Sequence, residues 1–128
     1  MKSEKEKMLS GELYNALDKQ LTEERVRARL LLKELNDSRE DEPEQRERIL
    51  MQLLPKARKG LWLQPPFYCD YGSNIILGEN VFFNFNCILL DVATITVGSR
   101  TLLGPQCSGI HRHSSAELQR KVFRFRAG

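Results

Sequence analysis

Few side chains in this sequence stand at spacings that do chemistry. Cys107, His111 and His113 make a C-x3-H-x-H run. Thiolate and imidazole are good zinc ligands, but a structural zinc site closes with four, and neither a fourth ligand nor a matching pair accompanies these three. No metal site is expected. Cys69, Cys87 and Cys107 are odd in number and include no C-x-x-C pair. They read as buried thiols in a reducing compartment. The final KVFRFRAG interleaves basic and aromatic side chains, as binders of single-stranded nucleic acid do, but it is short for that role. The charge is also local. Arg112, Arg120, Lys121, Arg124 and Arg126 against Glu117 leave +4 in residues 109–128, so with +3 overall residues 1–108 sum to −1. The body carries no basic surface, and no nucleic-acid partner is expected.

Whatever chemistry there is must be positioned by one domain, or one domain with an appendage, because the chain has 128 residues. Its 41% hydrophobic content supports a core. No apolar run approaches the roughly 18 residues of a membrane helix. The opening MKSEKEKMLSGELY carries acids where a signal peptide would be apolar. These features predict a cytoplasmic protein without membrane attachment.

The stretch from Tyr71 to Ser108 is periodic in sixes: YGSNII, LGENVF, FNFNCI, LLDVAT, a two-residue step, VGSRTL, LGPQCS. The first position holds Tyr71, Leu77, Phe83, Leu89, Val97 and Leu103. The second holds mostly Gly or Asn, and the fifth holds Ile75, Val81, Cys87, Ala93, Thr101 and Cys107. This is the hexapeptide pattern of a parallel β-helix, three runs to a triangular turn. The large first-position residues would fill the prism. The second position would lie near a corner, where Gly or Asn tolerates positive φ.

Upstream, residues 4–20 fit a helix through Met8, Leu9, Leu13, Tyr14, Leu17 and Leu21. A second helix starts near Thr22 as N-cap and carries Val26, Leu30, Leu31 and Leu35 to Asn36. A third starts at Pro43, with Ile49, Leu50, Leu53 and Leu54 as its stripe, and ends at Pro55. In GLWLQPPFYCD, residues 60–70, Trp62, Phe67 and Tyr68 would close the first open end of the solenoid, which otherwise exposes an apolar face.

These parts together resemble the maltose and galactoside O-acetyltransferases. The resemblance rests on GELYNALD (Gly11–Asp18), ERVRAR (Glu24–Arg29), PPFYCDYGSNIILGENVFFNFNCILLD (Pro65–Asp91) and ITVGSRTLLGPQ (Ile95–Gln106). It implies an α + β chain: an N-terminal α-helical segment, then a left-handed parallel β-helix, incomplete at its C-terminal end. The divisions would be 4–58 helical, 59–70 an aromatic and Pro-rich cap, 71–108 the β-helix, and 109–128 a divergent basic tail. The resemblance further implies an acyltransferase moving acetyl from acetyl-CoA to a sugar hydroxyl, in trimers with sites between neighbouring β-helices. It places Asn84 at the acceptor or oxyanion, Asp91 beside the acceptor pocket, and Asp18 and Arg25 near the sugar. A plain corner residue is an equal reading of Asn84, and a plain surface charge remains a reading of the other three.

The resemblance stops after Gln106. The family continues into a Y-T-A-T-H-P loop whose His is the general base. Counting from Pro105 places that His at Ser114, with His113 one place early, and no later hexapeptides follow to build a coenzyme groove. Codons exist for Ile110 to Ser115 that, read one nucleotide later, spell Tyr-Thr-Ala-Thr-His-Pro. The expectation is therefore a frame-shifted, truncated and inactive chain. The alternative is a non-catalytic module that associates with intact subunits.

Overall fold

The structure is a computed structural model, described here for residues 1–110. Three helices come first: α1 (Glu4–Ser10), α2 (Lys19–Asn36) and α3 (Pro43–Leu53). Short strands follow: β1 (Trp62–Leu63), β2 (Phe67–Cys69), β3 (Ile75–Leu77), β4 (Phe82–Phe83), β5 (Cys87–Leu90), β6 (Ile95–Val97), β7 (Leu102–Leu103) and β8 (Ser108–Ile110). Every strand pairing is parallel, in the orders β1-β4-β7, β2-β5-β8 and β3-β6. These are the three faces of a left-handed parallel β-helix. Among the described residues no helix is long and apolar enough to cross a membrane.

Trp62 pairs with Phe82 and Phe82 with Leu102, so each coil advances 20 residues. Three sixes give 18, and the further two lie at one corner each time, between Cys69 and Ile75 and again between Leu89 and Ile95. The expected first positions Leu77, Phe83, Leu89, Val97 and Leu103 are all buried and stack coil upon coil. Tyr71 does not join them. It falls in register with Asp91 at the widened corner, and packs instead with Met8 and Leu21 beneath Tyr14 and Val92. The left-handed backbone sits only partly where expected. Gly72 holds φ 82° at a second position, but the other left-handed residues of the sixes, Asn80, Asn86, Arg100 and Gln106, stand at the fourth position of four of the runs. Gly78 is needed for another reason: a Cβ there would lie 2.5 Å from the Ser99 backbone N in the next coil.

The β-helix begins before residue 71, because β1 and β2 are already its strands. Alternation along them turns Leu63, Phe67 and Cys69 inward and leaves Trp62 and Tyr68 on the surface. The lower end is therefore closed by Phe67 together with the α2–α3 hairpin, not by the two other aromatic rings. Ala28, Leu31, Leu32, Leu35, Ile49, Leu50, Leu53 and Leu54 form one buried cluster with the strand residues. The inward stripe of α2 thus contains Ala28 and Leu32, whereas Val26 and Leu30 are exposed.

The first helix is shorter than its apolar spacing predicts. Ser3 and Glu6 form a reciprocal capping box at its start, and Gly11 at φ 84° ends it. Leu13 and Leu17 then lie in an exposed loop. The second helix starts one turn earlier than expected, because the Asp18 side chain caps it by accepting from Leu21 N–H at 3.2 Å.

Candidate functional site

Asp91 lies at the widened corner of the second coil and is fully buried. Its Oδ1 accepts from the N–H groups of Asp70 and Tyr71 at 3.0 and 2.9 Å. Its Oδ2 accepts from Gly72 and Asn74 at 2.8 and 3.2 Å. The Asn74 amide donates back to the Asp91 carbonyl at 2.9 Å. Burial pushes this carboxyl above the usual carboxylate range, and the amide donors oppose that rise. Both oxygens are occupied by backbone, so Asp91 is not the open acidic group beside a pocket that the resemblance implied. It is the peg that shapes the 70–74 turn of the coil below.

That turn presents Tyr71 to α2. The Tyr71 hydroxyl accepts from Arg25 Nη1 at 2.8 Å, and the guanidinium carbon lies 6.0 Å from the ring centroid. Arg25 Nη2 donates to the Ala16 carbonyl at 2.6 Å and to Thr22 Oγ1 at 3.2 Å. Three partners on three segments fix this half-buried cation in one pose. Burial raises the Tyr71 hydroxyl pKa, while the Arg25 hydrogen bond and charge pull the other way. Next to it Asp70 is half-buried and raised by burial, with Arg29 and Arg25 opposing.

Three of the four expected residues therefore belong to one chain of contacts. Asp91 holds the Tyr71 backbone, Tyr71 meets Arg25, and Arg25 ties the loop that leads to the Asp18 cap. Asp18 serves as that cap. Asn84 is not in this network. It stands at the β4–β5 corner, where its Oδ1 accepts from Phe85 N–H at 2.8 Å and its N–H donates to the Leu103 carbonyl at 2.9 Å. The Asn84 carbonyl accepts from the Cys87 thiol at 3.3 Å. His111, His113, Ser114 and the basic tail lie outside the described residues. Among the described residues, no group of three or more His, Cys, Asp or Glu side chains gathers as a metal site would.

The sequence reading passed over Tyr71 as a site residue, and also Asp70 and Arg29. Tyr71 looked like a prism filler. The signal that was available is the i, i+4 spacing of Arg25 and Arg29, which puts two cations on one helical stripe. A separate groove of about 500 Å³ runs between α3 and the first coil, past Arg46, Met51 and Trp62, and contains none of these residues.

The arrangement places a fixed, half-buried cation near a half-buried carboxylate, with the buried Tyr71 phenol as the cation's support, and a carboxamide at another corner. Such groups bind and orient hydroxyls.

Comparisons with known proteins agree with this geometry. Residues 7–58 match the maltose acetyltransferase hexapeptide capping motif. The chain is 43% identical over 104 residues to nodulation protein L of Rhizobium leguminosarum bv. viciae, covering 81% of this chain and 55% of that protein. It superposes on a maltose O-acetyltransferase from Clostridium difficile 630 with a TM-score of 0.82 and 39% identity, covering 93% of this chain and 65% of that one. A galactoside acetyltransferase in complex with coenzyme A gives a TM-score of 0.71 and 34% identity, covering 77% and 49%. The chain spans about half the length of the curated relatives it matches. Over the length it shares with them, it belongs to the maltose and galactoside O-acetyltransferase family of hexapeptide-repeat proteins.

Proposed function

We propose that this chain carries the acceptor-binding part of an acetyl-CoA-dependent sugar O-acetyltransferase. The observation that carries the reading is the pose of Arg25, held by Tyr71, Ala16 and Thr22 with Asp70 beside it. A guanidinium and a carboxylate side by side match vicinal sugar hydroxyls, which both donate and accept. Asp70 takes the role first given to Asp91. Asn84 has its Oδ1 bound to Phe85, which leaves its amide N–H groups to face an acceptor hydroxyl or the oxyanion of the transfer step.

The transfer itself removes a proton from the sugar hydroxyl as its oxygen attacks the thioester carbonyl, and the thiol of coenzyme A leaves. Residues 1–110 contain no histidine to take that proton, and the position implied for the base holds Ser114. The active form is a homotrimer, with sites between neighbouring β-helices. Exposed Trp62, Tyr68 and Ile88 on the outer faces support this assembly. Use of acetyl-CoA fits the cytoplasm.

Ser114 at the implied base position favours a second reading, in which the chain is a non-catalytic module that pairs with intact subunits. One assay separates the two. Release of coenzyme A thiol is followed with acetyl-CoA and maltose, glucose or a galactoside, using the purified chain alone. Turnover well above the uncatalysed rate establishes the enzyme. Its absence, with sugar binding retained and lost in R25A, supports the module. Absence of both turnover and sugar binding overturns the acceptor-site reading.

A further inference from the structure

Cys87 and Cys107 occupy the same rung of adjacent coils. Phe67 pairs with Cys87, and the pairing of Ile88 with Ser108 carries that register one coil up, to Cys107. Both therefore sit on the inward side of the face built from β2, β5 and β8. Neighbouring strands lie about 4.8 Å apart, and disulfides form between Cα atoms about 4.4–6.8 Å apart. The side chain of Cys87 already leans toward the upper coil. Its Sγ donates to the Gly104 carbonyl at 3.4 Å, and the Cys107 N–H donates to that same carbonyl at 3.2 Å. The two cysteines thus converge on one oxygen atom. Cys69 belongs to a different rung, paired with Leu89. Two residues along and one strand across put its Cα roughly 8 Å from that of Cys87, beyond bridging distance.

We propose that Cys87 and Cys107 form a redox-sensitive pair that closes into a disulfide and ties the second coil to the third. The oxidant is a small disulfide such as oxidised glutathione. Cys107, which is partly exposed while Cys87 is buried, attacks first as thiolate and releases one glutathione thiolate. The Cys87 sulfur then displaces the second glutathione from Cys107, and its proton passes to the leaving thiolate. Two thiols are oxidised, one glutathione disulfide is reduced to two thiols, and atoms and electrons balance. Burial pushes the Cys87 thiol up to about 11, which makes the second displacement the slow one.

The bond also changes a corner. In the reduced chain the Cys87 thiol donates to the Asn84 carbonyl as well as to Gly104. Closing the disulfide removes that donor and hands the job of holding the β4–β5 and β7–β8 corners together to a covalent link.

The test is an incubation of the purified 128-residue chain with oxidised glutathione, read by intact mass, by counting alkylated thiols after unfolding, and by peptide mapping without reductant. The expected product is a monomeric chain lighter by two hydrogens, with one alkylated thiol at Cys69 and a peptide linking Cys87 to Cys107. C69S should behave identically, while C107S should take up no glutathione at this pair and C87S should stop at the mixed disulfide. Amide exchange from Leu102 to Gly109 should slow by roughly tenfold or more in the oxidised chain. A stable glutathione adduct on Cys107 in the unmodified sequence, a bond that includes Cys69, or only intermolecular links would overturn the proposal.

Discussion

The carboxamide of Asn36 makes both hydrogen bonds that a neighbouring strand would make with Phe67. Its Nδ2 donates to the Phe67 carbonyl at 3.1 Å, and its Oδ1 accepts from the Phe67 N–H at 2.9 Å. β2 is the lowest strand of its sheet, so its lower edge would otherwise carry unpaired backbone groups next to the core. One side chain at the end of α2 completes the ladder. N36A should cost about 1–3 kcal/mol, because two partly buried backbone groups lose their partners. N36D keeps the acceptor and loses the donor, and should fall between. Urea unfolding of the three chains gives the order. Equal midpoints would mean that water serves the edge as well as Asn36 does.

Asp91 makes a sharper case. In D91N one of two oxygens becomes an NH2 group facing two N–H donors, whichever way the amide turns. Two buried amides lose an acceptor, at a cost of about 2–4 kcal/mol. Arg25 should also lose its fixed pose, since the same four bonds hold Tyr71 in place. The double readout is a lower denaturation midpoint and faster exchange of the amides from Asp70 to Asn74. A D91N chain with both unchanged would contradict the role of Asp91 as a peg.

Two glycines should respond differently to alanine. At Gly78 the added Cβ meets the Ser99 backbone N at 2.5 Å, and the coils must separate to admit it. The expected loss is about 1–3 kcal/mol. Gly11 has open space within 4 Å but holds φ 84°, so only local backbone strain opposes alanine there, about 1 kcal/mol. Thermal melts of G78A and G11A should rank in that order.

The thiols set an alkaline limit. Burial raises Cys87 from an ordinary value of 9.0 to about 11, and the nearby Cys107 adds to the rise. Burial raises Cys69 further, with the charges of Asp91 and Asp70 adding. A group whose folded pKa is raised contributes stability that is complete below its unfolded pKa and is lost as pH climbs toward the folded value. Urea midpoints should be flat from about pH 7 to 8 and fall above pH 9.0, with a shallower fall in C69A and C87A. A fall of the same slope in all three chains would assign the effect to other groups.

Much of the fold was legible because a solenoid repeats its signal. Leu77, Phe83, Leu89, Val97 and Leu103 each announced the same inward position, and errors at one could be checked against the rest. Tyr71 misled because the pattern counts residues and cannot see that one corner is two residues wider. An open solenoid end calls for an aromatic cap, but alternation along a two- or three-residue strand decides which ring turns inward, and it leaves Trp62 and Tyr68 outside. The site was harder to read. Arg25 fell in the right place, but its partners Tyr71 and Ala16 come from segments that only the folded corner brings together. Asp91 kept its importance and changed its role, since sequence shows that a carboxylate is present and not that four amides already occupy it. Asn36 carried no periodic signal at all.

The hairpin beneath the first coil has a consequence for how the protein is born. It precedes every strand in the chain, so synthesis from the N-terminus delivers all of its residues before Trp62. From β4 onward each strand then finds its partner only 20 residues behind it, already laid down. Such a chain keeps its strand pairs at one fixed and modest separation, although parallel sheet ordinarily demands more distant contacts and folds slowly. Assembly can run as courses of masonry rise from a footing, each one set by the course below and none waiting for the last.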